Sequence, residues 1–227
     1  MKQMKRFLIG ATIVLSAAVL ASAETAQERL QASADVFQEV MSTPDKGIPQ
    51  DLLAKAQCVI IVPGLKKGAF VVGGQYGRGF AECRHDDGKG WGAPGAVRVE
   101  GGSVGFQIGG SSTDVVMLVM SKRGMEKLLG DKFTLGADAS VAAGPVGRTA
   151  SADTDVKMDA EILAWSRAKG LFAGISLSGA TLRNDADVNA ELYGRKLDNK
   201  DVLGAGTEPP PAAHALRAAL DKYSMRQ

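Results

Sequence analysis

Between residues 58 and 183, short apolar runs alternate with glycine, and this pattern restricts the fold more than any other feature of the chain. Glycine outnumbers proline 28 to 8. Glycine at such spacing weakens helices but permits tight turns and close contacts between strands. Many short strands are therefore expected. Residues 58–62 read as a buried strand stopped by Pro63 and Gly64. Residues 70–76 and 80–84 follow as strands, with Lys66 and Lys67 in the preceding turn. Residues 97–100 and 104–108 look like a hairpin around Gly101 and Gly102. Residues 115–120 are apolar throughout and should be central, and strand character resumes over 133–141. Residues 162–165 and 171–177 form a pair joined at Ala168, Lys169 and Gly170, and 180–183 add a last strand.

Helical periodicity is confined to the flanks and to short insertions. Ala26, Leu30, Ala34, Phe37 and Met41 recur at three- and four-residue spacing, which predicts an amphipathic helix over 25–41. Its polar side is acidic, so the apolar stripe is expected to pack on the sheet rather than lie on a membrane. Shorter helices are predicted through Leu52, Leu53 and Ala56, over 122–129 and over 187–193. A terminal helix over 212–223 follows a stiff Pro209-Pro210-Pro211 spacer. The predicted fold is α+β: a mostly antiparallel, curved sheet or barrel-like β core flanked by N- and C-terminal helices.

The first residues read differently. Lys2, Lys5 and Arg6 precede an uncharged apolar run over 7–20, and Ala21-Ser22-Ala23 supplies small residues at a cleavage site. That order is a secretory signal peptide, with cleavage expected after Ala23 and one domain over 24–227. The run is short of the roughly 20 residues a spanning helix needs. The mature protein is then expected in the periplasm or outside the cell. Three of the 27 basic residues and none of the 25 acids lie in the signal, so the mature chain carries a net charge of −1. Bulk charge thus argues against nucleic acid as a partner. Cys58 and Cys83 could pair in an oxidising compartment or remain two buried thiols.

The sequence carries fragments of catalytic patterns without the context each needs. Gly101-Gly102-Ser103-Val104-Gly105 fits the G-x-S-x-G elbow, but that motif needs a helix after the serine, and alternation continues here. His214 is the one downstream histidine, beyond the proline spacer. His85, Asp86 and Asp87 suit a solvated turn better than a metal site. Asp153, Asp155 and Asp159 lack the glycine and terminal glutamate of a calcium loop. No phosphate-cradling glycine loop is present. The chain is therefore expected to be non-catalytic, with no cofactor and no metal. Basic residues in loops remain: Lys66, Lys67, Lys122, Arg123 and Arg148 are the candidate lipid-binding residues, chosen on charge and placement.

One stretch carries a resemblance. Trp165-Ser166-Arg167-Ala168-Lys169-Gly170-Leu171-Phe172-Ala173-Gly174 resembles the signature of the SYLF domain family. Gly73-Gly74-Gln75-Tyr76-Gly77, Gly105-Phe106-Gln107-Ile108-Gly109-Gly110, Gly144-Pro145-Val146-Gly147-Arg148 and the set Asn189, Tyr193 and Gly194 agree with it in order. Trp165 stands where tyrosine is usual and Ala168 where serine is common, both mild changes for packing. The resemblance implies lipid binding. Eukaryotic members are linked to phosphoinositide membranes and some to actin. An exported chain argues against actin and points to anionic phospholipid at an envelope membrane surface. The rival expectation is a structural or protein-docking envelope protein without lipid binding.

Overall fold

The computed structural model describes residues 24–43, 47–69, 73–85, 87–103, 109–146, 160–168, 170–204 and 206–224. The chain opens with helix α1 (Ala26–Ser42), whose N-cap Thr25 forms a reciprocal capping box with Glu28. Helix α2 (Gln50–Lys55) follows. Then come β1 (Cys58–Ala69), β2 (Gly73–Cys83), β3 (Gly95–Ser103) and β4 (Gly109–Val119). Helix α3 (Lys122–Leu128), β5 (Lys132–Thr134), β6 (Val141–Ala143), β7 (Ile162–Ala168), β8 (Leu171–Gly174) and β9 (Thr181–Asn184) complete the sheet region. Helices α4 (Ala186–Tyr193), α5 (Asn199–Leu203) and α6 (His214–Ser224) close the chain.

The strands form one curled sheet in the order β5-β9-β3-β2-β1-β4-β7-β6, with β8 on the free part of β7. Of its pairings, β6 with β7 is parallel and the others are antiparallel. The α+β expectation therefore stands, as a half-barrel with helices from both ends of the chain. Alternation along each strand feeds two apolar layers. Val59, Ile61, Phe80, Val116, Leu118, Leu163 and Trp165 face Leu30, Phe37, Leu53, Leu216 and Leu220 of the helices. Ile60, Val62, Val97, Val99, Met117 and Leu182 fill the hollow of the sheet with Phe133, Leu135 and Leu177. The stripe of α1 is thus core-facing, as its acidic polar side implied.

Three local expectations are corrected. Pro63 and Gly64 do not end β1. The strand runs on to Ala69 through a bulge, where it advances five residues (Ile61 to Lys66) while β2 advances four (Phe80 to Tyr76). A bulge tolerates a residue without an N–H, and Gly64, at φ +58°, donates its own N–H to Asp114 Oδ1 (2.9 Å). Lys66 and Lys67 consequently lie in the strand, not in a turn. The hairpin turn expected at Gly101 and Gly102, between 97–100 and 104–108, is also absent, because the ladder with β2 runs on through both glycines to Ser103. Gly101 and Gly102 continue β3; a Cβ on Gly101 would lie 3.1 Å from Ala180 Cα, so that glycine serves close packing. Residues 133–141 hold two short strands and a turn instead of one strand, and α5 was not foreseen. Residues 70–72 and 104–108 lie outside the described residues.

The bulge needs room. A Cβ on Gly79 would sit 1.9 Å from Ile61 O, and one on Gly77 would sit 2.7 Å from Val62 Cγ1. Neither backbone can yield without breaking the β1–β2 ladder. Gly79→Ala is expected to cost about 3 kcal/mol or more, read as a lowered urea midpoint. Cys58 and Cys83 face each other across β1 and β2 with Cα atoms 4.0 Å apart and are joined by a disulfide, which decides the open question of their state. Both are buried. The double variant Cys58→Ala with Cys83→Ala should lose about 3 kcal/mol of stability, given a crosslink spanning 25 residues.

Candidate functional site

Of the five basic candidates, the four described ones fall into two pairs, Lys66 with Lys67 on β1 and Lys122 with Arg123 on α3. Lys66 is opposite Tyr76 on β2 and Ser112 on β4, so these three share the outer, helix-side face of the sheet. Lys67 is opposite Gln75 and Ser111 and faces the hollow. Lys122 and Arg123 open α3, just after Val119, which pairs with Cys58. From Cys58 to Lys66 the strand extends roughly 25 Å. The lysine pair of β1 and the basic pair of α3 therefore occupy opposite ends of the sheet. Arg123 is mostly exposed, with Nε 3.5 Å from Glu161 Oε1. Arg148 lies outside the described residues.

Tyr76 is 44% exposed and Leu171 74% exposed, the latter just after Gly170 (φ +78°) in the β7–β8 turn. Leu171 pairs with Ala168, one residue past Arg167, which faces Asp114 on β4. Lysines and large apolar side chains thus share one end. The same outer face carries four cations that sequence reasoning missed. Arg78 on β2 is opposite Arg98 on β3, Arg98 is opposite Arg183 on β9, and Arg183 is opposite Lys132 on β5. In the sequence each stands alone between residues of another kind, and only strand register gathers them.

Residues tested for chemistry are placed as follows. Ser103 ends β3 in ladder register with Gly73, and residues 104–108, where an elbow would need its helix, lie outside the described residues. His85 is exposed in a turn closed by Gly88 N–H to His85 O, and Asp87 Oδ1 accepts from Lys89 N–H. Asp153, Asp155 and Asp159 lie outside the described residues. Among the described residues, no group of three His, Cys, Asp or Glu side chains is disposed to hold a metal ion.

The signature stretch has a structural use. Trp165 is fully buried, donates from Nε1 to Pro145 O (3.0 Å) and stacks near-parallel on Phe172. Gly144 lies against its ring so closely that a Cβ there would stand 2.0 Å from Trp165 Cε2. Arg167 donates from Nε and Nη2 to Asp114 Oδ2 and pairs with Glu39 of α1, tying that helix to β4 and β7. Residues 100–223 match the family described as Ysc84, Las17-binding protein actin regulator. The chain belongs to the Ysc84 (SYLF) family. It is 34% identical over 191 residues to human SH3 domain-containing YSC84-like protein 1, covering 83% of this chain and 55% of the human protein. It is 39% identical over 178 residues to an SH3 domain-containing protein of Schizosaccharomyces pombe, covering 77% of this chain and 41% of that protein. It is 34% identical over 180 residues to LAS seventeen-binding protein 3 of Saccharomyces cerevisiae, covering 78% and 39%. The chain thus spans about half, or less, of these relatives. The expectation against actin finds no support in them, since the family description reads actin regulator.

This SYLF chain also buries a polar cluster beneath α6. Arg84 donates to the carbonyls of Leu53, Ala56 and Ser224 and sits 4.3 Å over the Trp91 ring. Trp91 Nε1 donates to Ser224 Oγ, and Arg217 Nε donates to Trp91 O. Beside them Glu82 is 1% exposed, and neither carboxyl oxygen has a hydrogen-bond partner among the described residues. Burial pushes its carboxyl well above the usual value near 4.5; Arg217 pulls it down and Asp221 pushes it up. Burial and then Glu82 raise the Tyr193 phenol, whose O–H donates to Pro94 O (2.7 Å). A carboxyl raised in the folded state binds its proton more tightly there than in the unfolded chain. Its contribution is complete below the unfolded value, near 4.5, and is lost as pH rises toward the folded one. Glu82→Gln should therefore gain stability relative to the parent as pH rises from 5 to 8, measured as diverging urea midpoints.

Proposed function

We propose that this chain binds anionic phospholipid at an envelope membrane surface and carries out no chemistry there. The observation behind this reading is the end of the sheet where exposed Lys66 and half-buried Lys67 accompany exposed Tyr76 and Leu171. Cations beside large apolar side chains suit the boundary between headgroups and acyl chains. Each lysine near an anionic surface adds about 1 kcal/mol. Family membership and the outward cations of β2, β3, β9 and β5, which are only partly countered by Glu100 and Asp185, support the same reading. Export through the signal over 1–23 is part of the proposal. It is supported by the Cys58–Cys83 disulfide, which persists in oxidising compartments, and by α1 being capped at Thr25, just past the expected cleavage point.

A protein-docking role is the second reading, favoured by a family description that names a protein partner and no reaction. Co-sedimentation of the chain from Glu24 with phosphatidylglycerol vesicles and with neutral vesicles tests the proposal. Binding to the anionic vesicles alone, weakened by salt, is the expected result. Lys66→Glu with Lys67→Glu should reduce it about tenfold or more. Lys122→Glu with Arg123→Glu, at the other end of the sheet, should leave it nearly unchanged. Equal loss from both pairs would overturn the Lys66 end as the contact, and no vesicle binding at all would favour protein docking.

A further inference from the structure

We infer that Arg78, Arg98, Arg183 and Lys132 form one row that binds the phosphate groups of anionic lipid headgroups on the outer face of the sheet. The inference rests on the lipid-surface reading and assigns it a headgroup site, distinct from the lysines of β1. Direct register places the four side chains on neighbouring strands β2, β3, β9 and β5. Strands lie about 4.8 Å apart, so the row is roughly 14 Å long. Like charges directly opposite each other destabilise a sheet, and this row has three such contacts in succession.

Countercharge within the fold is incomplete. Glu100 lies between two of the arginines, with Oε1 2.5 Å from Arg98 Nε and Oε2 3.0 Å from Arg183 Nε. Asp185, itself buried, places Oδ2 3.0 Å from Arg78 Nε. Two carboxylates thus face four cations. The approaches are close but off the N–H direction, since all three Nε atoms are buried without a hydrogen-bond acceptor. Among the described residues, no guanidinium of the row makes a directed hydrogen bond. Arg78, Arg98 and Arg183 remain partly exposed, with side chains at 35%, 28% and 40%, and Lys132 is exposed. The carboxylates hold the Nε edges, which leaves the Nη edges for a ligand. A guanidinium fork matches a phosphate in two-point contact, and the row is long enough for more than one phosphate. The next row on the same face contains Tyr76 and Lys66, so a surface engaging the lysine end lies beside the arginines.

The test uses the full mature chain and three probes: phosphatidylglycerol vesicles, neutral phosphatidylcholine vesicles and inorganic tripolyphosphate. Arg98→Gln with Arg183→Gln should weaken binding to the anionic vesicles by about tenfold or more. Lys132→Gln, at an exposed position with no carboxylate partner among the described residues, should weaken it severalfold without lowering the thermal midpoint, which guards against misfolding as the cause. Tripolyphosphate should displace the wild-type chain from vesicles. Wild-type binding that all these variants retain would overturn the row while leaving the lipid reading intact. A wild type that ignores anionic vesicles would remove both. Saturable binding of tripolyphosphate without vesicle binding would overturn the membrane as the source of the phosphate.

Discussion

The close approach of the bulged β1 to β2 at Gly77 and Gly79 is the constraint on which the rest of the sheet depends. Backbone from Ile61 to Leu65 occupies the space where side chains would stand on β2. The extra residue of the bulge also exchanges the faces of β1. Before it, Val59 and Ile61 point toward the helices; after it, Lys66 does. Without the extra residue Lys67 would take the outer face and Lys66 the hollow, because side chains alternate strictly along a strand. One backbone irregularity thus decides which lysine meets solvent beside Tyr76 and the arginine row.

Two apolar layers hold the sheet between them, and they serve different ends. The helix-side layer is built from α1, α2 and α6, so both ends of the described chain are bound to the middle of the sheet. The hollow-side layer is closed by Phe133, Leu135 and Leu177 from short strands and turns. Arg167 ties α1 to β4 and β7 at one end through Glu39 and Asp114, while Arg84 and Trp91 hold α6 to the sheet through Ser224 at the other. Signature residues such as Trp165, Arg167 and Gly170 therefore report the fold, and the cations that could meet a ligand lie elsewhere.

Local features of the sequence were legible. The stripe of α1, the β7–β8 pair around Gly170 and the terminal helix follow from spacing within a few residues. Features that depend on which strands become neighbours were not. Pro63 and Gly64 read as a stop because proline lacks a donor, yet a bulge needs none at that point. Gly101 and Gly102 read as a turn, whereas Gly101 is glycine because Ala180 presses on it. The cysteines could be paired only once Cys58 and Cys83 were known to be opposite. For the candidate site, Lys66 and Lys67 were found by charge, but Arg78, Arg98 and Arg183 were invisible as a group, since their proximity is a property of register alone.

Ser224, the last described residue, is held beside Arg84 and Trp91, at the disulfide end of the sheet. Measured along β2, that point is roughly 25 Å from Tyr76. The sheet therefore has two unlike ends: the disulfide, Arg84, Trp91 and Ser224 are gathered at one, and Lys66 and Tyr76 stand at the other, so each end presents a different chemistry.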